Sequence, residues 1–300
     1  MKRKLITFDW AIKRLLRSKA NFGILEGFLS ELLKEEIIIL DVLESEGNKE
    51  QKQDKFNRVD LKVRNNKQEI IIIEIQYDRE YDYLQRIFYG VSKTALEYME
   101  ERQAYSKITK VISINILYFD LGKGSDYIYK GTTKFYGLHQ HDQLELTEKQ
   151  KKLFQKENIE SLFPEYYLLK INSFNDIAKD TLDEWIYFLK NKEIKDSFTA
   201  KGIKEAQEKL SIMKLPEDEQ KAYEHYKDDL HYQASMFESS FGAGFNEGKA
   251  EAEAEAEGKI ELTQQMVINM AKNKITIETI IEVTGLTKIE VTSILEKNNK

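Results

Sequence analysis

Three residues in one short stretch have the types and spacing to do chemistry. They are Asp60, Glu74 and Gln76, all within residues 56–77, FNRVDLKVRNNKQEIIIIEIQY. Residues i and i+2 of a strand point to the same face, so Glu74 and Gln76 leave the backbone together. The four isoleucines before them, residues 70–73, are the kind of run that a sheet covers on both faces. A carboxylate at the end of such a run is costly to bury without a partner. A cation shared with Asp60 is one such partner. The competing reading is a hairpin whose charges simply face solvent.

The elements that must position these groups follow from the pattern around them. Val59, Leu61 and Val63 alternate with Asp60, Lys62 and Arg64, the period of a half-buried strand. Asn65-Asn66-Lys67 is a turn signal, because Asn tolerates left-handed backbone. Residues 56–77 therefore read as a β-hairpin. Upstream, apolar residues recur at helical spacing over 7–34, with a break near Asn21-Phe22-Gly23. Asp9, Lys13 and Arg14 lie on this opening helix. Residues 36–44 read as a strand, and the polar, charged 45–55 as a mobile loop that runs into Asp60. Downstream, 83–102 carries one apolar stripe and reads as a helix, with Arg86 and Tyr89 at i and i+3. The apolar 109–119 reads as a strand. Hairpin, helix and strand in that order suggest a crossover that returns parallel to the hairpin's second strand. Residues 127–138 and 165–171 would extend the sheet.

From 175 onward the pattern is helical, over 176–190, 194–210 and 217–239. Residues 240–258, with AEAEAEA, are low in complexity and strongly helix-forming. Residues 259–272, 276–283 and 287–297 complete a small helical end. Its last two segments have a helix-turn-helix look, but few donors, and we read them as a packing or association module. The expected organisation is a core over 1–172, a helical extension over 173–239 and a helical tail over 240–300.

Composition sets the bounds. The chain has 300 residues, 41% of them hydrophobic and 33% charged. It has no Cys, which excludes disulfides, thiolate metal sites and a Cys nucleophile. No apolar run approaches the ~18 residues of a membrane span, and the expectation is a cytoplasmic protein with no membrane partner. Net charge is −6, which lowers the expectation of tight nucleic-acid binding without removing it. The charge is uneven: residues 1–20 hold seven Lys or Arg against Asp9 alone, while 247–261 hold six Glu. His139, His141, His225 and His231 have no metal-site spacing. The glycines at 242, 244 and 248 follow no strand, so no nucleotide cofactor is implied.

The spacing of Asp60, a turn, an apolar strand and then Glu74-Ile75-Gln76 resembles the core of the PD-(D/E)xK nuclease superfamily, with Gln in place of the usual Lys. TFDWAIKRLL at 7–16, NRVDLKV, IIIEIQY, the helix with Arg86 and Tyr89, and the GFNEGKAEAEAEAEGK tail are similar to its recombination-promoting nuclease and putative transposase group. The resemblance implies an α/β fold, a restriction-endonuclease-like mixed sheet flanked by helices with an all-helical C-terminal part. It implies DNA cleavage with Mg²⁺, with Mn²⁺ as a substitute, on a protein that is nucleoid-associated when bound to DNA. Asp60 and Glu74 would be the metal ligands, with the Ile75 carbonyl as a third, and Gln76 would orient water or the scissile phosphate. Asp9, Arg86 and Tyr89 would be accessory residues. Lys13, Arg14 and Lys62 are candidates for DNA contact. The alternative is a core that no longer cuts and acts through helical self-association, with a homodimer formed by the C-terminal helices.

Overall fold

The computed structural model describes residues 5–43, 60–98, 104–105, 108–212 and 215–298. The loop expected at 45–55 and the first residues of the hairpin, 56–59, lie outside them. Two helices come first, α1 (Phe8–Arg14) and α2 (Phe22–Leu33), then strands β1 (Ile39–Val42), β2 (Leu61–Asn65) and β3 (Ile70–Gln76). Helix α3 (Tyr83–Glu97) leads to β4 (Val111–Leu117), β5 (Ile128–Gly131), α4 (Glu148–Phe154) and β6 (Glu165–Lys170). The rest is helical: α5 (Thr181–Asn191), α6 (Ile203–Lys209), α7 (Glu217–Lys272), α8 (Ile277–Thr284) and α9 (Lys288–Asn298).

The strands form one mixed sheet in the order β1-β2-β3-β4-β6-β5. β2 and β3 are the antiparallel hairpin, and β3 returns through α3 to the parallel neighbour β4. The register puts Ile70, Ile72, Glu74 and Gln76 on one face beside Val111, Ser113, Asn115 and Leu117. That face takes α3, whose Tyr83, Ile87 and Val91 pack on Ile70, Ile72, Val111 and Leu117. Ile71, Ile73, Ile75, Ile112, Ile114 and Ile116 on the other face are buried too. Each isoleucine so covered stabilises the fold by roughly 1.5–3 kcal/mol. The short polar ends of the strands are where this apolar cover stops.

Several local details differ from the sequence expectation. The left-handed residue of the β2–β3 turn is Gln68, not an Asn. Asn65 acts through its side chain, whose Oδ1 accepts from the Lys67 and Glu69 N–H groups. The first helical region breaks earlier, after Arg14, and a 3₁₀ turn at Lys19–Asn21 leads into α2. β5 stops at Gly131, which pairs with Tyr166 near the start of β6. The three helical segments expected over 217–272 are one continuous helix, as a Pro-free, Ala- and Glu-rich stretch permits.

The chain forms two compact units, Met1–Tyr223 and Glu224–Lys300. The first runs past the division expected at 172, because α5 completes the core begun by α1 and α2. Phe8, Phe28, Trp185 and Phe188 meet edge to face, with ring centroids 5.4–6.3 Å apart. The N-terminal segment is pinned as well: the Ile6 N–H donates to the Leu210 carbonyl and the Thr7 N–H to the Tyr223 hydroxyl. α1 is thereby held in place. The second unit packs Val267, Ile280 and Val291 into a small core. Thr276 caps α8 at its start, and Gly285, at φ +69°, ends it. Among the described residues, no helix is long and apolar enough to cross a membrane.

Candidate active site

β2 begins at Leu61, paired with Ile73, so the register carries Asp60 to the level of Glu74. There the Asp60 Oδ2 accepts a hydrogen bond of 2.7 Å from the Ile75 N–H. The N–H and C=O of one strand residue point to the same edge. The Ile75 carbonyl therefore faces the edge that Asp60 occupies. Glu74 is level with Asn115 of β4, and Gln76 with Leu117. Glu74 and Gln76 sit at the carboxyl end of β3, beside that of the parallel β4, with Asp60 adjoining at the start of the antiparallel β2; this is the end at which open α/β sheets bind ligands.

Glu74 and Gln76 leave the sheet on the α3 face and are joined by a chain of charged contacts. Arg86 of α3 donates to the Glu74 Oε1 at 2.5 Å and, through its other nitrogen, to the Glu80 Oε1 at 2.6 Å. The same Glu80 oxygen accepts from the Gln76 Nε2 at 2.9 Å, and the Asp78 carbonyl accepts from that nitrogen at 3.3 Å. A carboxylate and a carbonyl only accept, so the amide orientation of Gln76 is fixed. Its Oε1 is left as the acceptor for anything bound in the site. Beneath, the buried Tyr83 hydroxyl donates to the Asn115 Oδ1 at 3.3 Å.

Helix α1 closes the other side. Thr7 caps it, accepting from the Trp10 N–H, and Asp9 falls in its first turn. Asp9 is only 2% exposed, and Lys13, one turn on, places its Nζ 2.8 Å from the Asp9 carboxylate. The same Nζ is 3.6 Å from the Asp60 Oδ1. Arg17 donates to the Asp60 backbone carbonyl at 2.8 Å. Asp9 and Asp60, far apart in sequence, thus share one ammonium group.

The electrostatics are unbalanced. Burial pushes the Glu74 carboxyl up to about 7; Arg86 opposes this, while Asp60 and Glu80 add to it. Burial also raises Asp60, against the pull of Lys13 and the Ile75 N–H, with Asp9 adding to the rise. Burial works against the charge on Lys13, but its bond to Asp9 and its nearness to Asp60 outweigh that and raise its pKa. Tyr83 is raised by burial and by Glu74. A pair of desolvated carboxylates without enough positive charge is the arrangement that a cation relieves.

The donor chemistry fits a hard divalent ion. Asp60, Glu74 and the Ile75 carbonyl offer only oxygen. Among the described residues, no three His, Cys, Asp or Glu side chains form a ready metal cage. The fit therefore rests on two carboxylates with backbone and solvent oxygens.

The structure gathers Asp9, Lys13, Asp60, Glu74, Ile75, Gln76 and Arg86 around this sheet end. It does not gather the rest. Lys62 is 4% exposed and bonds Glu97 at 2.7 Å beneath α3, so its ammonium is not on a DNA-facing surface. Strand alternation sends it to the face that α3 covers. Arg14 turns to Glu219 at 3.9 Å and lies over the Trp10 ring. Tyr89 is exposed on α3, outside the network. Sequence reasoning missed Glu80, Arg17, Tyr83 and Asn115. Only Asn115 carries a signal, as a polar residue in the apolar run VISINIL.

The family model described as "PD-(D/E)XK nuclease family transposase" matches residues 6–240. Searches against curated proteins and solved structures give no match.

Proposed function

The chain belongs to the PD-(D/E)XK nuclease family transposases, and from that membership we propose that it is a metal-dependent DNA endonuclease. Its function is of the nuclease type; the substrate, the ion and the residue roles are our reading. The observation that carries the reading is the carboxylate pair, Glu74 near the carboxyl end of β3 and Asp60 beside it at the start of the antiparallel β2. Asp60 is clamped by the Ile75 N–H, and burial pushes the Glu74 carboxyl up to about 7.

In this reading Asp60, Glu74 and the Ile75 carbonyl hold Mg²⁺, with Mn²⁺ as a substitute. The ion would polarise the scissile phosphate and ease deprotonation of the attacking water. Water oxygen adds to phosphorus, one P–O ester bond breaks, and one proton ends on the leaving oxygen. Gln76, fixed by Glu80, offers its Oε1 to a hydrogen of that water and so aims the lone pair at phosphorus. Arg86 holds Glu74 in place and offsets part of its charge. Asp9 fixes Lys13 beside Asp60. The protein would work in the cytoplasm on DNA.

Cleavage of supercoiled plasmid tests this. Wild type with Mg²⁺ should nick or linearise the DNA, and EDTA should stop it. Asp60→Ala and Glu74→Ala should each lower the rate about 10³-fold. Equal rates for wild type and Asp60→Ala would end the proposal. For the C-terminal unit we propose self-association, on the strength of Leu262, Met266, Val283 and Ile289, large apolar residues left exposed. Light scattering of full-length protein should give a dimer mass, and a monomer at micromolar concentration would count against it.

A further inference from the structure

The E-x-Q strand leaves a gap in charge. Gln76 Nε2 is committed to Glu80 and to the Asp78 carbonyl, and the remaining Oε1 carries partial negative charge. Nothing at position 76 can neutralise a phosphate as it gains negative charge during hydrolysis. The cation for that task must come from elsewhere in the fold.

Four described cations near the site already hold a partner. Arg86 spends both terminal nitrogens on Glu74 and Glu80. Arg17 is bound to the Asp60 carbonyl. Arg14 faces Glu219, and Lys62 is buried on Glu97. Lys13 differs. Its side chain is 46% exposed, one ammonium donor meets Asp9, and Asp60 at 3.6 Å is a charge neighbour beyond hydrogen-bond distance. Two further donors can face solvent or a bound phosphate. The stem is anchored, since α1 is capped by Thr7 and Trp10 packs edge to face on Tyr223. Lys13 therefore sits at the carboxylate pair with donors to spare and on a rigid element.

From this geometry we infer that Lys13, on helix α1, is a catalytic residue. It binds the scissile phosphate and supplies the positive charge that Gln76 lacks. No bond forms or breaks at Lys13; its ammonium stays protonated and stabilises the charge that accumulates on the phosphoryl oxygens. The inference rests on the nuclease reading above.

The test uses full-length wild type, Lys13→Gln, and Lys13→Gln/Gln76→Lys, with two readouts. The first is single-turnover plasmid cleavage with Mg²⁺. The expected loss for Lys13→Gln is about 10²–10³-fold, with at least tenfold recovery in the double variant. The second needs no metal: anisotropy of a labelled duplex in EDTA across salt concentrations. Losing one phosphate contact should flatten the slope of log K against log salt by about 0.9. If Lys13→Gln does not fold, Asp9→Asn/Lys13→Gln replaces it, since that variant does not leave the buried Asp9 carboxylate without its lysine. A cleaving wild type matched in rate by Lys13→Gln overturns the inference. So does a rate loss with an unchanged slope, because Lys13 would then act only by holding Asp9. Absence of rescue by Gln76→Lys overturns it too, by showing that the two positions do different work. If wild type does not cleave, the nuclease reading fails by itself, and an unchanged slope then removes the Lys13 contact as well.

Discussion

The two ends of the same sheet carry similar charged residues and treat them in opposite ways. At the amino ends of β4 and β6, Glu165 receives Lys110 at 2.6 Å, Lys130 at 3.2 Å and the Tyr167 hydroxyl at 3.1 Å. Burial raises its pKa, the two lysines overcome burial, and the net direction is down. Glu69 beside it accepts from Asn65 and lies 3.6 Å from Lys156. Glu69, Lys110, Lys130, Lys156, Glu165 and Tyr167 line a cavity of about 600 Å³. At the carboxyl ends of β3 and β4, Glu74 shares its one arginine with Glu80 and faces Asp60, and its pKa goes up. Exposure does not separate the two glutamates, at 15% for Glu165 and 13% for Glu74. Positive charge does. One end of the sheet is electrostatically finished by its own lysines; the other is left short of positive charge.

The largest expected effect is a crossed pair of variants. Glu74→Gln should cut the cleavage rate about 10³-fold and leave the fold as stable or more so at pH 8. Glu165→Gln should leave cleavage within about twofold and cost about 2 kcal/mol of stability, since it strands the charged donors of Lys110 and Lys130. Urea unfolding alongside the plasmid assay reads both. If Glu165→Gln is the variant that loses cleavage, the contrast between the two ends is wrong.

The next effect is in pH. Glu74 binds its proton more tightly folded, at about 7, than at its ordinary value of 4.5. The native state therefore holds more protons than the unfolded state between those values, and stability falls as pH rises through that window. The loss is roughly 3 kcal/mol at most. Glu165 has the opposite sign: its contribution is present above its ordinary value and is lost as acid protonates it. Melting curves from pH 4.5 to 8 should show the Glu74 decline in wild type and its absence in Glu74→Gln. Mg²⁺ should raise the melting temperature more at pH 8 than at pH 6, because coordination needs the carboxylate. Arg86→Gln removes the charge that opposes the rise, so the midpoint of the rate–pH curve should move up by about one unit. A midpoint that stays put in Arg86→Gln would mean that Glu74 is not the group titrating.

What the sequence made legible follows from periodicity. The alternation of Val59, Leu61 and Val63, and the isoleucine run that ends in Glu74 and Gln76, define the hairpin, and the apolar stripe of α3 defines the crossover. The parallel return of β4 follows from those two. Glu80 was not legible, because it lies in the irregular segment between β3 and α3, where no period says which side chain folds back on Gln76. Nor was the meeting of Lys13 with Asp60, whose elements are brought together by the packing of α1 and not by local pattern. Lys62 departs from the expected DNA contact although the alternation holds: it lies on the face of Glu74, and there Glu97 of α3 pairs with it and it is buried.

The smallest predicted effect is the most searching. Lys67 and Lys13 are the same residue with nearly the same exposure, 47% and 46%, and each has its ammonium on a carboxylate. Lys67 pairs with Glu35 at the finished end, where both partners are exposed, and such a pair contributes at most about 0.5 kcal/mol. Lys67→Ala should therefore shift stability by no more than that and leave cleavage within about twofold. Lys13 differs only in what lies behind it, a buried Asp9 and a desolvated Asp60. Measured side by side, the two lysine variants isolate that background from the residue itself. Should Lys67→Ala slow cleavage as much as Lys13→Gln, lysine charge anywhere on the sheet would be enough to explain both, and the special standing of the Asp60–Glu74 end would be lost.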